Sequence, residues 1–335
     1  MPARFYREHD IDTSLIRNQR VAVLGYGNQG RAQALILREQ GLEVAVFARQ
    51  DGPSFGRAQR DGFDPRPVES DIDADVVVVT LPDEVIPQIM TETRLAALPD
   101  GALVVLAHGF VLRFGLIHPK PSLDVAVVSP KGPGRLLHSR FLAGDGLFGM
   151  VAVHQDATGL AMPRALAYGW GIGCARRGIL ESTVGEEADV DLFGEQVVLC
   201  GGIPALFVAA VETLIEAGYT PEAAYIDCVH EIQLIADLLA DKGLEGMRRA
   251  ISDTAEFGGY LAGDRLVTDK TRGEMRALLA EIRSGKFADQ WMAEAKRGKP
   301  TVAERRREES AHPVNQAFRR LRPYLAEANV SDAEP

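Results

Sequence analysis

Apolar residues in the first half of the chain cluster into short, nearly continuous β-branched runs: Val21–Gly25, Val44–Ala48, Val76–Leu81, Val104–His108, Val125–Ser129 and Val151–His154. A strand with one wet face alternates apolar and polar side chains, so runs that are apolar throughout belong to strands buried on both faces. Helix-length segments separate them, and the combination predicts a parallel sheet in a doubly wound α/β domain over residues 1–183. From about Glu186 the strand-like runs vanish. Long stretches with helical spacing follow, including Pro204–Ala217, Pro221–Asp241 and Arg272–Ser284, so the second domain, over 184–328, is expected to be all helical. Thr220-Pro221 reads as a helix start, with a hydroxyl cap and a proline at the first helical position, and Gly243 reads as a stop. Pro204–Ala217 is apolar almost all round and is expected deep in a core. The last residues, 329–335, read as a disordered tail.

Composition then narrows the partners. At 335 residues, 46% hydrophobic and 25% charged, the chain is long enough for two packed domains. A formal net charge of −10 gives no attractive field for nucleic acid, and Arg305-Arg306-Arg307, followed at once by Glu308-Glu309, reads as a solvated helix face. No apolar stretch reads as the roughly 20 residues of a membrane span, and Met1-Pro2-Ala3-Arg4-Phe5-Tyr6-Arg7 lacks the apolar core of a signal peptide. A cytoplasmic protein without membrane or nucleic-acid partners is expected. Cys174, Cys200 and Cys228 are odd in number, far apart and without a CxxC pair, which argues against disulfides and zinc; they read as buried thiols.

Candidate chemistry begins at Gly25-Tyr26-Gly27-Asn28-Gln29-Gly30, which directly follows the strand-like Val21–Leu24 and opens a helical pattern running to about Gln40. In that setting the glycines permit a tight turn and a close approach of backbone to a pyrophosphate, which then sits on the helix N-terminus, so the first domain reads as a Rossmann-type dinucleotide site. An NAD site usually carries an acid at the end of the second strand to hold the ribose hydroxyl. Here Ala48-Arg49 stands there, and an arginine, with Ser54 nearby as a hydroxyl donor, suits the 2′-phosphate of NADPH. The alternative is that Arg49 is a surface cation and Asp51 takes the ribose.

His108 and Lys131 each stand where an apolar strand ends, the place at which open α/β sheets hold their ligands. Flanking Gly and Pro fix those turns and favour a functional reading over solvated loop residues. Two acidic pairs, Asp191 with Glu195 and Asp227 with Glu231, have the spacing of four that places both carboxylates on one helix face. Solvated acidic faces are the plain alternative. The pairs sit among Leu192, Phe193, Val197, Val229, Ile232 and Leu234, however, where buried carboxylates need a compensating cation; four hard oxygen donors suit two Mg²⁺ ions better than zinc.

These residues, taken together, resemble the ketol-acid reductoisomerase family. The resemblance is carried by the Gly-Tyr-Gly-x-Gln-Gly loop, Leu81-Pro82-Asp83-Glu84, Ala107-His108-Gly109-Phe110, Pro130-Lys131-Gly132-Pro133-Gly134, His154-Gln155-Asp156, Asp191-Leu192-Phe193-Gly194-Glu195-Gln196 and Ile251-Ser252-Asp253-Thr254-Ala255-Glu256, from about residue 4 to 322. It implies the short form of the family, with a knotted, intertwined helical domain and a homodimer, or a larger assembly of dimers, whose active sites are shared between subunits. It further implies that NADPH contacts Gly25, Tyr26, Gly27, Asn28, Gln29, Gly30, Arg49, Ser54, Leu81, Pro82, Asp83, His108 and Gly134. Asp191, Glu195, Asp227 and Glu231 would hold the metals, with Asp227, Glu231 and Ser252 reaching the site from the second subunit. Pro133, Ile251, Ser252 and Ala255 would meet substrate, and His108, Lys131 and Glu231 would be catalytic. The implied reaction moves an alkyl group within a 2-hydroxy-2-alkyl-3-oxo acid and reduces the resulting 2-oxo acid to a 2,3-dihydroxy acid of valine and isoleucine synthesis.

The chain also departs from the family pattern. Asp227 stands where the family usually has Glu, a side chain shorter by one bond of about 1.5 Å. Asp189-Val190 replaces Glu-Thr, Ala250 replaces Ser, Phe257 replaces Tyr, Gly52 replaces Ser and Arg31 replaces His. Several of these touch places that choose substrate, which opens the alternative of a specialised paralogue that reduces a different oxo acid or imine without the migration.

Overall fold

The structure, a computed structural model, describes residues 3–325, and the tail expected at 329–335 lies outside them. The chain forms two compact units that divide between Asp191 and Leu192. In the first unit a single sheet holds nine strands: β1 (Phe5–Tyr6), β2 (Arg20–Leu24), β3 (Glu43–Ala48), β4 (Arg66–Pro67), β5 (Val76–Val79), β6 (Leu103–Leu106), β7 (Asp124–Pro130), β8 (Gly149–Gln155) and β9 (Ile179–Glu181). Their spatial order is β1-β9-β8-β7-β6-β5-β2-β3-β4. All six apolar runs are strands. The helices that matter for the site are α1 (Asn28–Glu39), α2 (Pro53–Arg60), α3 (Gly134–Leu142), α4 (Ala161–Gly171) and α5 (Val184–Gly194).

From β4 to β7 across the sheet the strands are parallel, but the expectation of a wholly parallel sheet fails beyond β7. There β8 pairs antiparallel to β7, β9 runs with β8, and β1 is antiparallel to β9. Continuous apolarity reports burial on both faces and carries no information on direction. The short strands β1, β4 and β9 had no apolar run to reveal them. Because β2 has β3 on one side and β5 on the other, winding reverses beside it, and a crevice opens beyond the carboxyl ends of β2 and β5.

Past Leu192 the described residues contain only helices: a π-helical turn at Glu195–Leu199, α6 (Gly202–Glu216), α7 (Pro221–Tyr225), a second π turn at Ile226–His230, α8 (Ile232–Ala250), α9 (Asp253–Leu266), α10 (Asp269–Arg283), α11 (Lys286–Lys296), α12 (Pro300–Ala311) and α13 (Pro313–Leu325). Thr220 caps its helix by accepting from the Ala223 N–H, and Gly243 breaks α8 with φ 66°. The single helix expected over Pro221–Asp241 is thus three segments. Arg305–Arg307 lie on an exposed helix, with Arg305 paired to Glu308 at 2.9 Å.

Three expectations are corrected here. Pro204–Ala217 is not deep in a core: in this chain Leu206 is 52% exposed and only Val211 of α6 is buried. An apolar window of the helical stretch Val184–Glu216 has a mean hydropathy of 2.1, enough by length and composition for a membrane span, so the expectation of no such stretch does not hold. Scattered Gly and Gln residues had masked its continuity, and the same composition suits a helix buried against another protein surface. Of the cysteines Cys174 alone is buried, Cys200 being exposed and Cys228 intermediate, because both of the latter lie on these open helices.

Candidate active site

The dinucleotide loop is built by steric necessity. Gly25 adopts φ 97°, and a Cβ there would come 2.9 Å from the Thr80 carbonyl oxygen on the neighbouring strand end. A Cβ on Gly30 would lie 2.0 Å from the Gly25 oxygen, so the first turn of α1 packs against the loop only as glycine, while Gly27 faces open space. Neither α1 nor α3 has a side-chain cap, and the two starts abut so closely that a Cβ on Gly134 would sit 2.0 Å from the Asn28 oxygen. Uncapped N–H groups at adjoining helix starts are a fitting cradle for a pyrophosphate. Tyr26 and Arg31 both bond Asp61 just past α2, the former at 2.8 Å and the latter at 2.7 Å, which ties the loop to the unit that carries Ser54. Arg49 follows β3 and is exposed, with its Nε beside Gly52, so a side chain at position 52 would press on it. Leu81, Pro82 and Asp83 follow the end of β5, and Pro133 precedes α3.

At the neighbouring strand ends the structure gathers Asp83, His108, Lys131 and Asp191. Lys131 Nζ donates to Asp191 Oδ1 at 2.8 Å and to a residue absent from the sequence reading, Glu187, at 2.6 Å. Glu187 is fully buried and also accepts from the Gly109 N–H at 2.8 Å. His108 Nδ1 lies 3.5 Å from Asp83 Oδ2, and its Nε2 is 3.4 Å from Asp191 Oδ2, buried and with no hydrogen-bond partner. Burial works against the His108 cation, but the hydrogen bond with Asp83 and the Glu187, Asp83 and Asp191 charges outweigh it and push the pKa up to about 9. For Lys131, burial likewise works against the charge, and Glu187 and Asp191 overcome it, keeping the pKa above the ordinary lysine value. The signal for Glu187 was present in the sequence, since 187, 191 and 195 repeat the spacing of four.

Among the described residues one trio of side chains able to ligate metal lies within 4.8 Å, namely His108, Glu187 and Asp191. Lys131 already fills the gap between Glu187 and Asp191, and the second oxygen of Asp191 faces His108 Nε2 at 3.4 Å without a hydrogen bond from it. The two acidic pairs stand otherwise than expected. Asp191 is half-buried in the first unit, whereas Glu195, Asp227 and Glu231 belong to the second and are exposed in this chain. Burial inferred from apolar sequence neighbours fails because, although Leu192 is buried, Ile232 and Leu234 are themselves exposed on a single chain. Each pair also adjoins a π turn, where the α-helical rule for spacing of four no longer holds as stated. Ile251 ends α8, and Ser252 caps α9 by accepting from the Ala255 N–H at 3.2 Å.

A glycine-built dinucleotide loop that opens toward a lysine, a histidine and carboxylates at the ends of adjacent strands defines a nicotinamide-dependent oxidoreductase. Comparison with known proteins agrees. Residues 15–178 match the family described as acetohydroxy acid isomeroreductase, NADPH-binding domain, and residues 184–327 match the ketol-acid reductoisomerase C-terminal domain. The solved structure of an NADH-preferring ketol-acid reductoisomerase from an uncultured archean is 37% identical, with a TM-score of 0.93 over 97% of this chain and 100% of that one. The chain belongs to the ketol-acid reductoisomerase family. A semialdehyde dehydrogenase NAD-binding protein from Cupriavidus necator, solved with calcium and NAD, is 18% identical with a TM-score of 0.60 over 80% of this chain and 99% of that one. A pyrroline-5-carboxylate reductase from Coxiella burnetii is 14% identical with a TM-score of 0.54 over 80% and 98%. These last two share the fold alone.

Proposed function

We propose that this chain is a magnesium-dependent isomeroreductase of 2-acetolactate-type substrates, moving an alkyl group from C2 to C3 and yielding a 2,3-dihydroxy acid of valine and isoleucine synthesis. The observation that carries this reading is the half-open carboxylate of Asp191, one oxygen on Lys131 and the other turned to an unpartnered His108 nitrogen. Around it the carboxylates of Asp83, Glu187 and Asp191 outnumber the cations of Lys131 and His108, so a further cation is favoured. An open carboxylate oxygen suits a hard ion, and the donors fit Mg²⁺. Asp191 and Glu195, with Asp227 and Glu231 of a second subunit, would hold two ions.

When bound, Mg²⁺ polarises the substrate hydroxyl and carbonyl oxygens, and NADPH supplies the hydride. The protein's own groups do the rest. Glu231 takes the C2 hydroxyl proton as the alkyl group leaves C2, and a proton returns to the C3 oxygen. Lys131 has committed two of its three N–H donors to Glu187 and Asp191, and the third would serve substrate or a water beside it. His108, between Asp83 and Asp191, places positive charge where the C2 carbonyl oxygen becomes negative on reduction. Pro133, Ile251, Ser252 and Ala255 shape the substrate pocket.

NADPH is preferred over NADH because Arg49 stands at the end of β3 and Ser54 in the first turn of α2. Division into a nucleotide domain (1–183) and a metal, substrate and dimerisation domain (184–328) belongs to the same reading. So does an intertwined homodimer in the cytoplasm, supported by apolar helices left open on one chain. A second reading, a reductase of another oxo acid or imine, is favoured by the shortened Asp227. One assay series separates the two: with Mg²⁺ and NADPH, 2-acetolactate is compared with its rearranged isomer, 3-hydroxy-3-methyl-2-oxobutanoate. Turnover of both is expected; turnover of the isomer alone would end the claim of migration.

A further inference from the structure

We infer that Tyr168 and Gln33 are positioning residues that lock the dinucleotide loop to the loop bearing Lys131, through a buried chain of side-chain hydrogen bonds. The Tyr168 hydroxyl, on α4, donates to Gln33 Oε1 at 2.5 Å. Gln33 Nε2 donates to Gln29 Oε1 at 3.1 Å, one turn earlier on α1. Gln29 Nε2 then donates to the Gly132 carbonyl at 2.8 Å, one residue past Lys131. Tyr168 and Gln33 are both fully buried.

This chain has only one workable direction. A backbone carbonyl can only accept, so Gln29 must present its amino group to Gly132 and its oxygen to Gln33. Gln33 must then offer its own oxygen to Tyr168, which has to donate. Burial supports that role by holding the Tyr168 phenol well above its ordinary pKa and therefore protonated. On its other side the lysine loop is held by the Lys131 N–H donating to the Phe148 carbonyl at 2.8 Å. The loop is thus clamped between Phe148, the residue before β8, and the first turn of α1, the turn on which a pyrophosphate would rest. A core that needed only filling would be satisfied by apolar side chains, since each buried amide must find partners or be costly. The polar route instead runs from the interior to the two loops whose separation sets the distance between cofactor and Lys131.

The consequence rests on the proposed isomeroreductase reading, and the test keeps the two apart. Tyr168→Phe, Gln33→Met and the double variant are compared with the full-length parent protein. The measurements are thermal midpoint, NADPH dissociation constant by fluorescence, and kcat and KM for 2-acetolactate with Mg²⁺. Each single variant is expected to weaken NADPH binding about threefold or more and to lower kcat about fivefold. The double variant should do little worse than either single, because a chain broken once is already broken. Folded variants with parental NADPH affinity, kcat and KM and only a lowered thermal midpoint would overturn the inference. So would additive losses in the double variant. Should one variant fail to fold, the other decides. A parent that turns over no 2-acetolactate would sink the functional reading alone, leaving the positioning claim to stand or fall on the NADPH constants.

Discussion

At Gly109 a single absent methyl decides whether the site closes. Its φ of −78° suits any residue, so the obstacle is space: a Cβ there would lie 2.9 Å from Glu187 Oε2 and 3.1 Å from the Val184 oxygen. Gly109→Ala should therefore push Glu187 off both the Gly109 N–H and Lys131. A fall in kcat of at least about tenfold is expected, with a lowered thermal midpoint, since misplacing a charged group near the chemistry is costly. Parental kcat in a folded variant would mean the clamp is not needed. The placement of His108 and Lys131 just past strand ends was legible from sequence because apolar runs mark where the strands of an α/β sheet finish. Glu187 was not singled out, although it repeats the spacing of the acids after it, because nothing in the sequence says which carboxylates on a helix face inward.

Along whole elements, the six long strands and the glycine-loop helix could be read because buried runs and glycine spacing are local signals. The π turns could not, since no local residue signal marks where one extra residue enters a helical turn. In the His154-Gln155-Asp156 motif, which marked the family, Gln155 and Asp156 brace the fold. Gln155 Nε2 donates to the Lys120 and Leu123 carbonyls at 2.8 and 2.6 Å, and Asp156 accepts from the Ala161 N–H at 3.1 Å, holding β8 and the start of α4 against the strand beside them. Arg31, a departure from the family's histidine, is likewise engaged: it forms two hydrogen bonds to Asp61, and that pairing, ahead of the Tyr26 hydrogen bond, holds the Asp61 carboxyl below the ordinary aspartate range. A carboxyl with a depressed folded pKa stabilises fully above its unfolded value of about 3.9 and loses that contribution as pH falls through the folded one. Asp61→Asn should accordingly melt below the parent by a steady margin between about pH 5 and 8, and the margin should shrink below about pH 4. A margin that grows on acidification would contradict the pairing.

For the whole molecule, the sequence separated an α/β half from a helical half but mistook where the helical half hides its apolar surface. Leu206, Leu234, Phe257 and Leu261 are each more than half exposed on one chain, at 52, 63, 66 and 58%. Their spacing asked for burial, and spacing cannot say whether the cover is the same chain or another. A second copy is the proposed cover, so sedimentation should give twice the 36.3 kDa of one chain. Leu206→Glu should shift the protein toward the single-chain mass; a monomeric parent at micromolar concentration would contradict the dimer. The same second copy would bring Asp227 and Glu231 to Asp191, and on that carboxylate the proposed chemistry would turn. The most direct test is a calorimetric titration of Mg²⁺ into the NADPH-loaded parent and into Asp191→Asn. Saturable binding in the parent, weakened at least about tenfold in the variant while NADPH affinity is kept, is the expected result. Indistinguishable Mg²⁺ isotherms would contradict it.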